Sequence, residues 1–281
     1  MSPNFYIFDP NLMPSLFIID SAGNEYIYGD KNKVYELASI TKLFSAITIC
    51  ETAAAGFIDL DEVVKDSRFN YEETYLKDLI SHAGGISFKG EIPQIKPRTK
   101  RIYSNLGFEI AGNYLSNKIS KEFGETTFID IFNQGLKTIL TRQQDSILDL
   151  YGSCAFASRG NLLAIGQLLR EMREPTFIDG QAHKTMITTY LEGLSGVIPG
   201  WGRSENCGFG YGYEIKEDKF PHWMGTKSSA QTFGHFGQSG CFVLHDPIEN
   251  ISIAALGDKP FELWAKKAWP VYVDEIFETF S

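Results

Sequence analysis

The sequence predicts an α+β fold, in which an antiparallel sheet flanked by helices is built from both ends of the chain. Near the amino terminus, β-prone residues at 16–20 and 26–28 flank Gly23-Asn24, and Gly-Asn between two such runs indicates a hairpin turn. Near the carboxyl terminus, similar runs lie at 240–246 and 250–256. The residues between these ends show apolar side chains at helical spacing, so a mainly helical part is inserted into the sheet part.

This pattern predicts two domains. Residues 1–38, which also hold a short apolar run at 4–9, are expected to combine with residues 208–281 in the sheet domain. Residues 39–207 are expected to form the helical domain. The second boundary lies where the sequence changes to alternating glycines and aromatic residues at 208–213.

Helices are expected where apolar residues recur every three or four positions. The predicted segments are 74–81, 106–121, 126–140, 159–173 (starting near Ser158) and 261–280, which Pro270 is expected to bend or restart.

Composition excludes several classes of function. The 281 residues carry a formal net charge of −9, which argues against nucleic-acid binding because that needs a basic face. The short basic run at 96–101 is typical of a solvated loop. We find neither a signal peptide nor an apolar run long enough to span a membrane. The sequence as written therefore predicts a cytoplasmic protein, although a secreted protein that has lost its leader would look the same.

The four cysteines, at positions 50, 154, 207 and 241, show no Cys-x-x-Cys spacing. Paired histidines that could complete a zinc site are also missing from the sequence. We therefore predict no metal, no cofactor and no disulfide framework.

The segment that begins at Ser39 predicts a buried helix with a nucleophile at its start. Residues 43–55 are almost free of charge, and Gly56 is a natural helix stop. Lys42 lies three positions after Ser39 and so shares one face of the first turn. A lysine in that place can take the proton of a serine hydroxyl, which is otherwise a weak nucleophile. Taken alone, the pattern is more typical of a serine that caps the helix and a lysine in solvent.

Two further fragments carry polar groups at the ends of predicted elements. Tyr103 and Asn105 stand at a junction between a loop and a helix, where a tyrosine could relay a proton and an asparagine could bind substrate. The run Gly234-His235-Phe236-Gly237-Gln238 leads into a strand, and its glycines would let a ligand approach the strand backbone. Alone, the first fragment also fits a capped turn and the second a glycine-rich hairpin.

Together, Ser39-x-x-Lys42, Tyr103-x-Asn105 and His235-x-Gly237 resemble the motifs of the serine β-lactamase and penicillin-binding protein superfamily. The similar branch contains class C β-lactamases, D-alanyl-D-alanine carboxypeptidases and related esterases. The residues Asp78-Leu79-Ile80-Ser81-His82-Ala83-Gly84-Gly85-Ile86 resemble the Asp-Leu-Leu-Thr-His-Thr-Ser-Gly-Leu of that branch, and Tyr103-Ser104-Asn105-Leu106-Gly107-Phe108 resembles its Tyr-Ser-Asn-x-Gly-Tyr.

The resemblance implies a β-lactamase-like fold with the active site between a sheet domain and a helical domain. It also implies that Ser39 is acylated, that Lys42 is its proton partner and that Tyr103 is a general base or relay. The two groups would titrate as a coupled pair, so the sequence leaves the position of the proton open.

For the remaining motif residues, the resemblance implies contacts with substrate. Asn105 would bind an amide of the substrate, and His235 and Gly237 would line the strand edge. The backbone N–H groups of Ser39 and Gln238 would form an oxyanion hole, and His82 is expected to support its turn by hydrogen bonding.

The third motif departs from the family pattern, which has Lys-Thr-Gly or His-Thr-Gly in place of His235-Phe236-Gly237. Phe236 has no hydroxyl and a histidine is mostly neutral at pH 7, so we expect weak recognition of a β-lactam carboxylate. The sequence thus predicts a serine hydrolase that acts through an acyl-enzyme on a small-molecule, peptide or ester substrate. The alternative is a catalytically inactive member of the same fold that binds a ligand or partner. The Gly-x-Ser-x-Gly of an α/β-hydrolase is missing from the sequence.

Overall fold

The computed structural model describes residues 11–12, 15–68, 73–88 and 95–281, so the predicted apolar run at 4–9 lies outside the described residues. The strands are β1 (Ser15–Ile19), β2 (Glu25–Tyr28), β3 (Tyr35–Glu36), β4 (Arg101–Ile102), β5 (Leu148–Leu150), β6 (Ser158–Gly160), β7 (Gly196–Ile198), β8 (Gly202–Ser204), β9 (Glu214–Ile215), β10 (Phe233–Phe236), β11 (Phe242–Asp246) and β12 (Ile251–Leu256). The helices are α1 (Thr41–Ala54), which follows a 3-10 turn at Ala38–Ile40, α2 (Leu76–Ile80), α3 (Asn105–Phe123), α4 (Phe128–Gln134), α5 (Leu136–Leu140), α6 (Leu162–Arg173), α7 (Gly180–Met186) and α8 (Leu263–Phe280).

The main sheet has the strand order β2-β1-β12-β11-β10-β9. All of its strand pairs are antiparallel, with Phe17 opposite Ala254 and His235 opposite Val243. The prediction of an antiparallel sheet built from both chain ends is confirmed. The domain boundaries after residues 38 and 207 stay a prediction.

The main sheet is buried on both faces. Along β1, Phe17 and Ile19 belong to a core shared with α1 and α6, whereas Leu16 and Ile18 belong to a second core shared with α8. Successive side chains of a strand point to opposite faces, so this alternation places helices on both sides of the sheet. Both cores are apolar, which explains why β1 is a continuous apolar run rather than an alternating one.

Three helix predictions need correction at their ends or in their continuity. The helix expected at 126–140 is two helices, α4 and α5, because Gly135 takes φ −98° and ψ −103°, outside the helical region. The helix expected from Ser158 begins at Leu162, after the side chain of Asn161 accepts a hydrogen bond from the Ala164 N–H as an N-cap. Helix α8 continues through Pro270, so a restart there is wrong, and a bend at Pro270 stays a prediction.

Gly212 brings the chain that precedes β9 against the helix that carries Lys42. Its φ is +81°, and a Cβ at this position would lie 2.5 Å from Ala46 Cβ and 3.2 Å from the Lys42 carbonyl oxygen. The Gly212 N–H donates to the Ile80 carbonyl over 2.8 Å. This glycine therefore fixes the distance between α1 and the strand beside the site.

We predict that Gly212→Ala destabilises the protein more than Gly56→Ala does. Gly56 has nearly the same φ, +83°, but nothing lies within 4 Å of its Cβ position. Both substitutions should carry the left-handed backbone cost of about 1–2 kcal/mol, and only Gly212→Ala should add an overpacking cost of about 1–3 kcal/mol. Urea unfolding of the two variants measures the difference, and equal losses of unfolding free energy would contradict the close packing of Gly212 on α1.

Candidate active site

Ser39 lies in the 3-10 turn before α1 rather than at the N-cap of that helix. The residue at the N-cap is Ile40, which makes no side-chain capping bond, so the expectation that Ser39 caps the helix is wrong. Ala38 takes φ +46°, a conformation that residues with a Cβ adopt rarely and that is often found at functional sites. The turn leaves the Ser39 hydroxyl free of the helix and on the wall of a cavity.

Lys42 is buried completely in the first turn of α1. Its Nζ donates to Ser39 Oγ over 3.3 Å, to Asn105 Oδ1 over 2.6 Å and to the Ala155 carbonyl oxygen over 2.8 Å. Burial lowers the pKa of this amine to about 7, because a low-dielectric surrounding disfavours the charged form. An amine with this pKa is present in both protonation states near neutral pH, as a proton carrier must be.

Tyr103 is held by a polar scaffold beneath the site. Arg101, which is buried and precedes it in β4, donates to the carbonyl oxygens of Ser81 over 2.8 Å and Cys207 over 3.0 Å. His82 accepts the Ser104 N–H at Nδ1 over 3.2 Å, and its ring centroid lies 4.4 Å from that of Tyr103. The prediction that His82 supports its turn by hydrogen bonding is confirmed.

The Tyr103 phenol is held in its protonated form. Burial is the largest cause that raises the pKa of Tyr103, and the negative charge of Glu214 raises it further. The pKa shifts of Tyr103 and Lys42 have opposite directions, because burial favours the neutral form of both groups. Lys42 is therefore the group that can lose its proton near pH 7.

His235 on β10 is a neutral hydrogen-bond partner of Tyr103. Its Nδ1 lies 2.7 Å from the Phe236 carbonyl oxygen and its Nε2 lies 3.4 Å from the Tyr103 hydroxyl. A carbonyl can only accept, so Nδ1 carries the hydrogen and Nε2 has the lone pair. Burial, with the Lys42 charge as a smaller cause, lowers the pKa of His235 to about 4.

These groups form one directed chain of hydrogen bonds. The Lys42 amine donates to Ser39, whose hydroxyl is hydrogen-bonded to Tyr103. The Tyr103 hydroxyl then donates to His235 Nε2, and His235 Nδ1 donates to the Phe236 carbonyl. This chain describes the ammonium form of Lys42, in which the serine hydroxyl is oriented towards Tyr103 and the phenol towards His235.

The end of β10 touches the turn that holds the nucleophile. A Cβ on Gly237 would lie 2.3 Å from the Leu37 carbonyl oxygen, so only glycine fits there. Gln238 is held by Phe261, with its side-chain amide donating to the Phe261 carbonyl over 2.8 Å and its own carbonyl accepting the Phe261 N–H over 2.9 Å. Ser39 and Gln238 line the same cavity, as an oxyanion hole built from both would require.

The cavity at Ser39 has a volume of about 280 Å³. Its walls contain four of the predicted site residues, Ser39, Tyr103, Asn105 and Gln238. Lys42, His235 and Gly237 lie immediately behind these walls, in the contacts given above. The other described residues that line it are Ala38, Phe88, Phe156, Ile198, Pro199, Phe209, Glu214 and Phe236. A larger cavity, of about 580 Å³, holds none of the motif residues.

Sequence reasoning missed several of these wall residues. Phe88 and Phe156 lie in loops without a local pattern, and the Ala155 carbonyl that binds Lys42 has no side-chain signal at all. Glu214 did carry a signal, because it is the first acidic residue after a run of glycines and aromatic residues at 208–213.

None of the helices in the described part of the chain is both long and apolar enough to cross a membrane. Residues 11–12, 15–68, 73–88 and 95–281 contain no group of three or more His, Cys, Asp or Glu side chains placed to hold a metal ion.

Comparison with known proteins agrees with this geometry. A family model for β-lactamases matches residues 13–135. A β-lactamase from Mycobacterium bovis has a similar structure with 27% sequence identity and a TM-score of 0.84, over 95% of this chain and 96% of that one. A penicillin-binding protein from Bacillus halodurans has 12% identity and a TM-score of 0.69, over 90% of this chain and 93% of that one.

A class C β-lactamase mutant also has a similar structure, with 13% identity and a TM-score of 0.70, over 93% of this chain and 91% of that one. At such identities the likeness of the last two structures concerns the fold alone. A comparison with curated protein sequences found no significant match. The family resemblance and the β-lactamase-like fold that the sequence indicated are confirmed.

The buried Lys42 amine predicts an unusual dependence of stability on pH. Its pKa falls from 10.5 in the unfolded chain to about 7 in the folded one, so the unfolded state binds more protons between these values. Burial of the amine therefore costs no free energy of unfolding above pH 10.5, where the amine is neutral in both states. As the pH falls towards 7, the unfolded chain takes up a proton that the folded protein does not, so the free energy of unfolding decreases.

We predict that the unfolding free energy of Lys42→Met minus that of the wild type decreases by about 2–3 kcal/mol between pH 7 and pH 9, because the wild type gains stability over this range and the variant lacks the amine. Urea unfolding at the two pH values measures this change. Lys184→Met, which removes an exposed lysine, is the control and should show no such dependence. A difference between Lys42→Met and wild type that is the same at both pH values would contradict a depressed pKa.

Proposed function

We propose, from the similarity of this chain to the serine β-lactamase and penicillin-binding protein superfamily, that it is a serine hydrolase that forms an acyl-enzyme on Ser39. The observation that carries the proposal is the contact of 3.3 Å between Ser39 Oγ and a buried Lys42 amine whose pKa is about 7. A weak nucleophile next to a base of this pKa is the arrangement that covalent catalysis needs. The substrate is an ester or amide that reaches the cavity at Ser39.

In the acylation step, neutral Lys42 has two N–H groups, which bond Asn105 and Ala155, and one lone pair, which faces Ser39. The lone pair takes the proton of the Ser39 hydroxyl as Oγ bonds to the carbonyl carbon of the substrate. The bond between that carbon and the leaving oxygen or nitrogen then breaks, and the leaving group takes the proton of Tyr103. The proton that Lys42 took from Ser39 then passes to Tyr103, so that both Lys42 and Tyr103 are neutral again. Tyr103 suits the role of proton donor because its phenol is protonated and its hydroxyl is hydrogen-bonded to Ser39.

In the deacylation step, water attacks the ester carbon of acylated Ser39 and gives up its proton to neutral Lys42. The bond to Oγ breaks, and the proton on Lys42 passes back to the serine. In both steps the negative oxygen faces the backbone N–H groups of Ser39 and Gln238, which contribute about 3–4 kcal/mol of transition-state stabilisation. Asn105 both positions Lys42, at 2.6 Å, and lines the cavity for substrate.

Covalent labelling tests the proposed function. A fluorophosphonate or a fluorescent penicillin should add to Ser39, with the mass of one adduct in intact-protein mass spectrometry. Ser39→Ala should abolish the adduct, whereas Ser45→Ala, which removes a buried serine hydroxyl of the same helix from its bond to the Cys154 carbonyl, should keep it. No adduct with either probe would favour the alternative, a ligand-binding member of the fold without turnover.

The pH profile of kcat/KM tests the assignment of Lys42 as the base. Because the neutral amine is the active form, kcat/KM for a p-nitrophenyl ester should rise with pH and level off above an inflection near pH 7. It should fall by about tenfold for each unit below pH 6. His235 adds no inflection in this range, since its pKa is about 4. A profile that is flat between pH 5.5 and pH 8.5 would exclude Lys42 as the titrating base.

A further inference from the structure

Glu214 is a buried carboxylate in the wall of the cavity at Ser39. It lies on β9 opposite Gly234 and is 2% exposed. The catalytic steps proposed above do not use it. A carboxylate costs free energy to bury unless it is hydrogen-bonded and paired, so its position next to the substrate cavity calls for a role.

The Glu214 carboxylate is ionised and oriented by three neighbours. His222 Nε2 donates to Oε1 over 2.9 Å and Trp223 Nε1 donates to Oε2 over 2.8 Å. The Lys219 ammonium lies 3.8 Å from Oε1. Burial alone would raise the pKa of Glu214, but the His222 and Lys219 charges and these hydrogen bonds lower it to about 2.

The negative charge of Glu214 acts on the substrate side of this cluster. It acts to raise the pKa of Tyr103, which lines the same cavity, and, against the larger effect of burial, that of His235 behind the cavity wall. The Lys219 ammonium, by contrast, is hydrogen-bonded to backbone carbonyls, with 3.2 Å to that of Gly208, and lowers the pKa of Cys207. Of Glu214 and its three neighbours His222, Trp223 and Lys219, Glu214 is the one that lines the cavity.

The remaining walls suit a positive group better than a negative one. Aromatic rings surround the cavity, from Phe88, Tyr103, Phe156 and Phe209, and the face of such a ring attracts a cation. No lysine or arginine occurs among the described residues that line the cavity. The formal net charge of −9 also favours the approach of cationic molecules.

We propose that Glu214 and the aromatic rings of Phe88, Phe156 and Phe209 form a subsite for an ammonium group in the leaving group of the substrate. This rests on the proposed hydrolase function, in which Tyr103 delivers a proton to the leaving group. Glu214 and Tyr103 line the same cavity, so the subsite is placed on the side of the leaving group, which receives the Tyr103 proton. The substrate class is an ester or amide of an amino alcohol or diamine.

The same geometry disfavours a carboxylate in the leaving group. His235 is neutral, and the Phe236 ring packs at centroid distances of 5.0 Å from Phe261 and 5.6 Å from Trp269 rather than offering a hydroxyl. A carboxylate next to Tyr103 would face Glu214 with like charge.

A matched pair of thioesters tests the subsite. Butyrylthiocholine carries a trimethylammonium group, and S-(3,3-dimethylbutyl) thiobutyrate has the same shape with carbon in place of nitrogen and no charge. Thiol release should give a kcat/KM ratio of at least about tenfold in favour of the cation. A ratio near one, or a preference for the neutral thioester, would overturn the proposal.

Two variants locate the preference. Glu214→Gln keeps the shape and removes the charge, so the ratio should fall about tenfold, towards one. Phe88→Leu removes an aromatic ring and should lower the ratio about threefold. Because Phe88 is 44% exposed, this variant should fold, and it tests the subsite if Glu214→Gln does not fold. Glu249→Gln removes an exposed carboxylate elsewhere and should leave the ratio unchanged. An unchanged ratio in folded Glu214→Gln would overturn the proposal.

Binding to Ser39→Ala separates this proposal from the hydrolase function. Calorimetric titration with choline and with its neutral isostere 3,3-dimethylbutan-1-ol needs no turnover. Choline should bind at least about tenfold more tightly than the isostere. This result would support the subsite even if no thioester is hydrolysed, whereas equal affinities would overturn it even if Ser39 is acylated by other substrates.

Discussion

The burial of one amine organises the site. Lys42 lies in the first turn of α1, and its three hydrogen-bond acceptors come from the turn before that helix, from the start of α3 and from the loop before β6. Ser39, Asn105 and Ala155 are therefore held at fixed distances by a group that has no contact with solvent. The same burial lowers the pKa of the amine to about 7, so the burial that assembles the site also lets the amine exchange a proton near neutral pH. Removing the Lys42 amine from water lowers the free energy of unfolding, and such a cost is common at functional sites.

The sheet supplies the second half of the site through backbone geometry. Successive residues of β10 point to opposite faces, so His235 faces Tyr103 while Phe236 packs among Phe261, Trp269 and Trp223. The loss of a hydroxyl at position 236 is thus linked to the packing of the core against α8. A neutral His235 accepts a hydrogen bond from Tyr103, whereas a lysine at this position would donate one. The third motif therefore orients the phenol here without contributing a positive charge.

Much of the fold could be predicted because apolar periodicity is local information. The antiparallel sheet from both chain ends followed from strand and turn patterns, and so did the start of α3, which was expected at residue 106 and lies at Asn105. The break at Gly135 and the continuous helix through Pro270 did not follow, because they depend on packing against other elements. The minor sheets, formed by two- and three-residue strands, are too short to leave a periodic pattern.

The sequence by itself determined which chemical groups are available, a hydroxyl at Ser39, an amine at Lys42 and a phenol at Tyr103, and the order of the motifs that carry them. Only the tertiary structure decided which of the two titrating groups can lose its proton near pH 7. That choice depends on desolvation, which burial by distant residues imposes and which lowers the pKa of an amine while it raises that of a phenol. The structure also placed Glu214 in the cavity wall through the pairing of β9 with β10. The sequence could not show this, because Glu214 is far from Ser39 along the chain.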